Sequence, residues 1–463
     1  MNIIRSWLKK GSSLYDANHG KTKGRPRNSE TATSSLVEVL NLVRLGHATT
    51  RQELERVGEY GRAIIADRLL TLKDLGLVDE SETGVATGGR APRLVRLMQD
   101  KGRLAVVTLD QSAVGVGFAD LSGKLISEHH EIIDITNQTV TVERVCALIN
   151  WMLSRQTVQA DFWGISISVP GPVIANPSSS FLTQTPDFLP NWDKSKLIEE
   201  LTSRFKAPVW MHSNVETMTM GELHGGAGID QQSMLFVKVG QRIAASLVNE
   251  GEAYHGAAGA VGLIGHLPVT YNGNTGTLDA MAGAEMIKTR GIAAAESGES
   301  DQLSSILSRE GGLTEIDVCQ SAQMGDKIST DIIVQSGRLI GGVLATLTNM
   351  LNPQLIVLAG SIAQTNDILL ASVREAVYGA SHPLVTRDLR ILRSQMSGSA
   401  ALLGAATIGV EALFAPSFLK DWIILGTPTE HPDFKSELEV HDNKVTHSVD
   451  VPPPPPNIGR RHV

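Results

Sequence analysis

Cysteine is scarce in this chain. Its 463 residues include two cysteines, Cys146 and Cys319, which lie far apart in the sequence. Two separated thiols argue against a disulfide framework and against a zinc cluster built from cysteines. This cysteine usage is typical of a reducing compartment, so a cytoplasmic protein is expected.

Long apolar segments are also lacking. The opening segment, MNIIRSWLKKGSSLYD, contains no apolar core of the roughly 7–15 residues that a secretory signal requires. The longest apolar stretch, near 339–360, is interrupted by Asn349, Asn352 and Pro353. A membrane-spanning helix needs about 20 consecutive apolar residues, so we expect a soluble chain with no membrane partner.

Positive charge is concentrated at the start of the chain. Residues 1–100 contain 16 Lys and Arg against 12 Asp and Glu, although the whole chain carries a net charge of −8. A basic N-terminal segment on an otherwise acidic chain suggests that this segment binds a polyanion.

The first 30 residues are polar, rich in Lys and Gly, and without apolar periodicity, which predicts a disordered basic arm over residues 1–30. Within it, Arg25-Pro26-Arg27 follows a glycine and resembles the core of an AT-hook, which lies in a narrow DNA minor groove. The alternative is a solvated basic tail, since charge runs of this kind are common.

Residues 31–99 have the pattern of a winged helix-turn-helix domain. A helical apolar spacing over 34–44 is followed by a capping box at Thr50 and Glu53, a turn, and a longer helix that ends at Gly76. Two short strands within 78–97 then flank a polar, glycine-rich loop. The apolar face of the longer helix is formed by Ile65, Leu69 and Leu72.

The loop of this hairpin, Gly88-Gly89-Arg90, could be mistaken for a phosphate loop. It lacks the Gly-Lys-Ser/Thr of nucleotide enzymes, and no helix follows it. A wing that approaches the DNA backbone fits better, with a solvated basic hairpin as the alternative.

On this interpretation the longer helix is the recognition helix, with Arg62 and Arg68 off its apolar face and placed to reach bases or phosphates. Ordinary solvated arginines are the alternative. The full set predicted to contact DNA is Arg25, Arg27, Thr50, Arg51, Arg62, Arg68, Arg90 and Arg93.

Residues 100–415 have an α/β pattern that occurs twice. Three strands within 103–132, a helix over 142–155 and a buried strand over 162–171 are followed by paired strands within 233–256 and by a helix and strand within 339–363. The repeat predicts two related α/β lobes. Residues 416–463 are more polar and include five consecutive prolines, which predicts a disordered tail, with a proline-motif ligand as the alternative.

Five segments of the α/β part occur in a characteristic order. They are ISVPGPV (167–173), TPDFLPNW (185–192), PVWMHSNVETMTMGE (208–222), GAVGLIGH (259–266) and NGNTGTLDA (272–280). Together with the winged helix they resemble the ROK family, which comprises sugar kinases and sugar-responsive repressors. The resemblance covers about residues 34–412 and implies a two-lobed, actin-like ATPase fold.

The two phosphate turns of the family are altered here. The family's Asp-x-Gly-Gly-Thr turn is replaced by LDQSAVG (109–115), which keeps Asp110 but has the β-branched Val114 where a phosphate would approach. The second turn, Gly-Thr-Gly-Ile-Gly in the family, is GQRIAAS (240–246) and keeps Gly240 alone. The resemblance therefore implies that ATP is not bound, and no cofactor is expected.

The base of the family kinases is missing as well. Their Asn-Asp-Ala-Asn segment uses its aspartate to take a proton from the sugar hydroxyl, and Asn214 occupies that position here. A neutral amide cannot accept this proton. Glu216, two residues further on, could substitute only if its carboxylate reached the same point, and its spacing places it at a different distance from the substrate. We expect no catalytic residue and no enzyme activity.

The family's zinc site also loses its ligands. Gly265-His266 is kept, but Thr270, Asn272 and Thr277 replace the three cysteines, so no metal is expected.

The sugar-binding positions of the family are partly kept, and Leu263 removes one hydrogen-bond acceptor. His266 could instead be a satisfied core histidine. The positions implied for ligand binding are Asp187, Asn214, His266 and Asp279.

These observations predict a DNA-binding transcriptional regulator, a repressor in its simplest form, associated with the nucleoid in the cytoplasm. A homo-dimer or tetramer on double-stranded DNA with a palindromic operator is expected, because one small winged helix contacts few base pairs. A sugar-like small molecule is the expected effector. The alternatives are a DNA-organising protein without an effector and an active ATP-dependent sugar kinase.

Overall fold

The computed structural model describes most of the chain. Arg25, Arg27, Arg90 and Asp187 lie outside the described residues, so their roles stay predictions. The described residues are 29–84, 91–110, 113–156, 160–171, 173–175, 183–184, 192, 194–257, 259–396, 398–436 and 438–439.

The N-terminal module consists of three helices and a strand pair, in the predicted order. Its helices are α1 (Ser29–Arg44), α2 (Arg51–Val57) and α3 (Arg62–Asp74), and β1 (Val78–Asp79) pairs antiparallel with β2 (Arg96–Leu97). The predicted capping box begins α2, where the Thr50 hydroxyl accepts a bond from the Glu53 amide and the Glu53 carboxylate accepts one from the Thr50 amide. This reciprocal cap satisfies amides that the first helical turn leaves unpaired.

The first lobe is a five-stranded sheet with helices packed on both faces. Strand order in its sheet is β5-β4-β3-β6-β9, with the elements β3 (Gly102–Asp110), β4 (Ala113–Ala119), β5 (Leu125–Ile132), α4 (Gln138–Ser154), β6 (Asp161–Val169), β7 (Ile174–Ala175), β8 (Thr183–Gln184), α5 (Lys194–Phe205) and β9 (Val209–Ser213). An antiparallel meander thus joins parallel strands through β3 and β6.

The second lobe repeats this plan, which confirms the two predicted α/β lobes. Helix α6 (Asn214–Gly225) leads into it. Strand order in its sheet is β12-β11-β10-β15-β16, and its elements are β10 (Ser233–Val239), β11 (Ile243–Asn249), β12 (Glu252–Ala253), β13 (Pro268–Tyr271), β14 (Asn274–Thr277), α7 (Leu278–Ala282), α8 (Ala284–Glu296), α9 (Asp301–Glu310), α10 (Glu315–Gln323), α11 (Lys327–Leu351), β15 (Leu355–Ala359), α12 (Ser361–Thr365), α13 (Asp367–Ala380), α14 (Pro383–Thr386) and β16 (Arg390–Arg393).

Helices α6 and α15 (Ser399–Leu413) pack tightly against each other beside the two sheets. A side chain at Gly404 would place its Cβ 1.6 Å from the Thr217 carbonyl oxygen, and one at Gly221 would lie 2.0 Å from the Ala400 carbonyl oxygen. Only glycine permits this approach of two backbones. The two helices therefore form one closely packed unit.

The expectation of a disordered tail over 416–463 is wrong for its first part. Residues 416–422 form helix α16, and Phe418, Trp422 and Phe434 are fully or almost fully buried. In the sequence, the short apolar clusters of this segment are separated by Gly and Pro and resemble a linker. In the structure, they pack against the apolar core of the N-terminal module. Residues 440–463, which include the prolines, lie outside the described residues.

One apolar cluster joins the module to the body. It contains Leu40 and Leu69 of the module, Trp163 and Trp210 of the first lobe, and Trp422 of α16. The sequence pattern therefore changes near residue 100, as predicted, but the segments on either side of this boundary share one apolar core.

In the described part of the chain, no single helix is long and apolar enough to cross a membrane. Two consecutive helices, Ser399–Leu413 and Pro416–Leu425, are long and apolar enough only when taken together, and they meet at a bend of 61°. Most of its apolar residues are buried in the core. The two predicted isolated cysteines are both buried and free.

Candidate functional sites

The N-terminal module exposes basic side chains on α3 and on the strand pair. Arg62, the first residue of α3, is exposed, as is Arg93 beside β2. Gly61 precedes α3 with open space where a Cβ would lie. The start of α3 is therefore accessible to a large partner.

Arg51 has an ionic partner inside the module. Its guanidinium binds Glu80 through two contacts, Nε to Oε1 at 2.7 Å and Nη2 to Oε2 at 2.6 Å. The bond to Arg51 holds the pKa of Glu80 below its usual range, and Glu80 raises the pKa of Arg51. The ion pair connects α2 to the end of β1, so the Arg51 guanidinium already has a partner within the module. Its contact with DNA stays a prediction.

The prediction that Arg68 points away from the helix core is wrong. Its side chain is 18% exposed, and its Nε donates to the Ser35 hydroxyl on α1 at 2.8 Å. Position 68 follows Ile65 by three residues and precedes Leu72 by four, so it flanks the buried stripe of α3. Arg68 ties α3 to α1.

In the first lobe, the segment that corresponds to the first phosphate turn is closed by strand pairing. Asp110 at the end of β3 pairs directly with Ala113 at the start of β4. The Val114 side chain is buried in the core of the lobe, so the expectation that it crowds a phosphate is wrong. Gln111 and Ser112, which join the two strands, lie outside the described residues.

Asp110 instead bridges the two lobes. Lys238 on β10 donates through Nζ to both carboxylate oxygens of Asp110 at 3.0 Å, and the lysine side chain is 14% exposed. A partly buried ion pair of this kind is screened less than a surface pair. The carboxylate that resembles a phosphate-site residue thus holds β3 against β10.

The second turn is similarly tight, because Val239 pairs with Ile243 and leaves residues 240–242 between β10 and β11. Asp279 braces this turn by accepting a 2.6 Å hydrogen bond from the Ile243 amide. The Asp279 carboxylate is also in close contact with Gly265, where an added Cβ would lie 2.2 Å from Oδ1. Asp279 thereby has a structural role, and its predicted ligand contact stays a prediction.

Asn214 is the first residue of α6 and is buried. Together with Thr108, Asp110, His130 and Ser168, among others, it lines a cavity of about 100 Å³. Because a water molecule takes up about 30 Å³ in the liquid, this space holds a few waters and is too small for a hexose.

His266 lies in a short helical turn, Ile264–His266, and is exposed. The alternative of a satisfied core histidine is therefore wrong, while the predicted ligand contact of His266 stays a prediction.

A second group of polar residues, which the sequence did not bring together, lies where α6 meets the second lobe. Glu216 in the first turn of α6 has its Oε1 3.5 Å from Nδ1 of His255, which follows β12. Burial raises the pKa of Glu216, with the charge of His255 acting against it. Burial and His255 together lower the pKa of His212, at the end of β9, to about 4.

Residues 111–411 match the model of the ROK family. The chain belongs to this family. The match spans both lobes, which confirms the resemblance and its actin-like kinase fold.

ROK regulators are among the relatives. The chain is 26% identical to the N-acetylglucosamine repressor of Escherichia coli O157:H7, over 76% of this chain and 86% of that one. It is 23% identical to the xylose repressor of Bacillus spizizenii, over 78% of this chain and 91% of that one. A solved ROK family transcriptional regulator, a homolog of the Escherichia coli MLC protein, covers 87% of this chain and 100% of its own with a TM-score of 0.67 and 23% identity.

A β-hairpin occupies the segment in which the ROK resemblance implied zinc. Strands β13 and β14 pair around Asn272 and Gly273, both with positive φ (49° and 81°), and the Thr270 and Thr275 hydroxyls bond across them at 2.9 Å. Two such residues form the tight turn that matches strand twist. Among the residues that the structure describes, no group of three His, Cys, Asp or Glu is arranged for a metal. The Asn-Gly pair was a local signal for this hairpin that the sequence analysis missed.

Proposed function

We propose that this ROK protein is a DNA-binding transcriptional regulator, and a repressor in its simplest form. The observation that carries the proposal is the three-helix module with its strand pair, which precedes the ROK domain and exposes Arg62 and Arg93. Helix α3 would enter the major groove of a palindromic operator while the strand pair follows the backbone as a wing. Relatives with similar coverage are named as repressors.

The ROK domain of this regulator acts without catalysis. Asn214 stands where a base is required, and the Asp110 carboxylate is paired with Lys238. An amide takes no proton from a sugar hydroxyl. The protein is a kinase-like sensor that keeps the two-lobed fold, works in the cytoplasm at the nucleoid, and assembles as a homo-dimer or tetramer on DNA.

A sugar-like effector would act by changing how the lobes meet. The names of the two relatives refer to N-acetylglucosamine and xylose, and here such a ligand would bind between the lobes. Ligand binding can shift a protein between two arrangements only if it favours one of them. Separation of the lobes would displace α6 and therefore also α15, which packs against it.

Helix α15 in turn holds the DNA-binding module. Arg44 on α1 forms a bidentate ion pair with Glu411 at 2.7 and 2.8 Å, and its guanidinium lies 5.2 Å from the centre of the Phe414 ring. Asn41 donates to the Phe414 carbonyl oxygen at 3.2 Å. A displacement of α15 would thus reorient α1 and change the spacing of two modules on an operator.

Selection of DNA from a random pool by the full-length protein, at near-physiological salt, tests this proposal. A palindromic consensus is expected, and Arg62→Ala should weaken binding to it by roughly tenfold or more, the loss of one base or phosphate contact. Arg309→Ala, a change of an exposed arginine on α9 of the second lobe, is the matched control and should bind as the wild type does.

Enrichment of AT-rich tracts alone, with equal binding by Arg62→Ala and the wild type, would contradict the proposal. That result would favour the DNA-organising alternative, in which affinity depends steeply on salt and little on sequence.

A further inference from the structure

The second lobe has a cavity of its own. Its volume is about 380 Å³, which falls in the range of about 300–1,000 Å³ typical of small-molecule sites. Among the residues that the structure describes, it shares no lining residue with the cavity around Asn214. Its walls come from the β13–β14 hairpin and from helices α7, α8 and α11, through Tyr271, Asn272, Asn274, Met281, Met286, Arg290, Asp331 and Gln335.

The β13–β14 hairpin forms one side of this cavity. Tyr271, Asn272 and Asn274 lie at its turn and line the space. Gly276 on β14 leaves room for Met281 of α7, because a Cβ at this glycine would lie 3.1 Å from the Met281 Cγ. The hairpin therefore packs directly on α7, and this contact keeps its turn beside the cavity.

Two methionines and a tyrosine give the cavity an apolar surface. Met281 of α7, Met286 of α8 and Tyr271 are each half-buried. Methionine is unbranched and has a polarisable thioether, so it adapts to apolar groups of different shapes. Tyr271 adds an aromatic ring, and aromatic rings bury a large apolar area. This surface suits a short aliphatic or aromatic group.

Gln335 supplies a buried hydrogen-bond donor to the cavity. This residue is 7% exposed, and its Oε1 accepts a hydrogen bond from Nη1 of Arg290. Its Nε2 makes no hydrogen bond with any residue that the structure describes. A buried donor without a partner costs free energy, so an acceptor on a ligand would be stabilising here. The other donors of Arg290 form a planar fork that matches a carboxylate.

Asp331 brings the opposite charge to the same cavity. It is exposed on α11, four positions before Gln335, and residues at this spacing have Cβ atoms about 5–6 Å apart. Its carboxylate forms no ion pair with Arg290 or with any other residue that the structure describes. Unlike charges attract, so Asp331 favours a cation while Arg290 favours an anion. The cavity thus presents two opposite charges about one helical turn apart, neither neutralised by the other.

We propose that this cavity binds a free α-amino acid with an apolar side chain. The α-carboxylate accepts hydrogen bonds from Arg290 and Gln335, and the α-ammonium donates to Asp331. The ligand side chain packs against Met281 and Met286. Both charged groups of an α-amino acid are attached to one carbon, so they fit between partners about one helical turn apart. The inference goes beyond the proposed function, since binding here requires neither DNA nor a sugar-like effector.

Calorimetric titration of the full-length protein with L-leucine, L-methionine and L-phenylalanine tests the site. At least one of the three should bind. Two derivatives of the bound amino acid should bind more weakly by roughly tenfold or more, because each leaves one charge of the cavity without its partner. They are the N-acetyl derivative, which lacks the ammonium, and the amide, which lacks the carboxylate. Since they resemble the two ends of a peptide, they also distinguish a free amino acid from a peptide.

Two exposed residues of the cavity provide the variants. Arg290→Met and Asp331→Asn should each weaken binding by roughly tenfold or more, and thermal melting checks that both fold. Arg338→Met is the matched control, because Arg338 is exposed on α11, pairs with Glu375 and does not line the cavity, so it should bind as the wild type does.

Three results would overturn the site. They are binding of none of the three amino acids at millimolar concentration, equal affinity for the amino acid and its two derivatives, and equal affinity in Arg290→Met, Asp331→Asn and the wild type. The titration contains no DNA and the operator selection contains no amino acid, so failure of this site and failure of the proposed regulator give separate results.

Discussion

Replacing Trp422 by alanine tests whether α16 belongs to the core. The side chain is fully buried, its ring centre lies 5.3 Å from that of Trp163 in a T-shaped contact, and its Nε1 donates to the Leu413 carbonyl oxygen at 3.3 Å. A buried tryptophan removes about 200–250 Å² from water, which at about 25 cal/mol per Å² sets an upper value of roughly 5–6 kcal/mol. Measured changes of buried aromatic residues to alanine cost about 3–5 kcal/mol.

We therefore expect Trp422→Ala to lower the free energy of unfolding by about 4 kcal/mol, as measured by urea unfolding followed by circular dichroism. Ile424→Ala, two residues away and 60% exposed, is the control and should change it by less than about 0.5 kcal/mol. A loss below about 1 kcal/mol in Trp422→Ala, or one equal to the control, would refute the argument and return residues 416–439 to the status of a peripheral tail.

Four further outcomes are expected. Arg44→Met should weaken operator binding, because Arg44 holds α1 against Glu411 of α15; operator titration beside urea unfolding separates this effect from a loss of stability, and unchanged operator binding would contradict the coupling. His212 has a pKa of about 4 in the folded protein against roughly 6.5 in the unfolded chain, so the folded state binds fewer protons. The contribution of His212 to the free energy of unfolding is therefore complete above about pH 6.5 and falls by up to about 3 kcal/mol towards pH 4. Urea midpoints measured at both ends of this range should depend less on pH in His212→Gln than in the wild type. Asn214→Asp should form no sugar phosphate from labelled ATP and hexose, because a base alone does not rebuild the phosphate turns; protein-dependent product would contradict this. Gly273→Val should lower the melting temperature, because φ there is positive, whereas EDTA should leave it unchanged; a fall with EDTA would reveal a metal.

Much of the fold could be predicted from local patterns. The capping box at Thr50 and Glu53 was visible because both halves of it lie within one helical turn. The strands of both lobes were visible as apolar runs separated by turn residues, since burial on both faces demands them. The prediction that Asn214 replaces the base of the family kinases needed only the identity of one residue in a recognisable segment.

Contacts between distant residues could not be predicted in this way. Asp110 and Lys238 are 128 positions apart, and Arg68 found Ser35 on another helix. Neither partner is implied by spacing, because an ion pair depends on how lobes and helices pack. The candidate sugar contacts illustrate the same limit, since Asp279 binds the Ile243 amide within the fold.

By itself, the sequence determined the order of the elements, the two-lobed plan and the positions at which the chain departs from the motifs of the family kinases, because each depends on residues close together or on a single side chain. Only the tertiary structure decided that α16 completes the core under the N-terminal module and that His212, Glu216 and His255 meet at the lobe junction. Burial and proximity are properties of the packed chain. They decide which apolar residues form the core and which polar residues come together in a site.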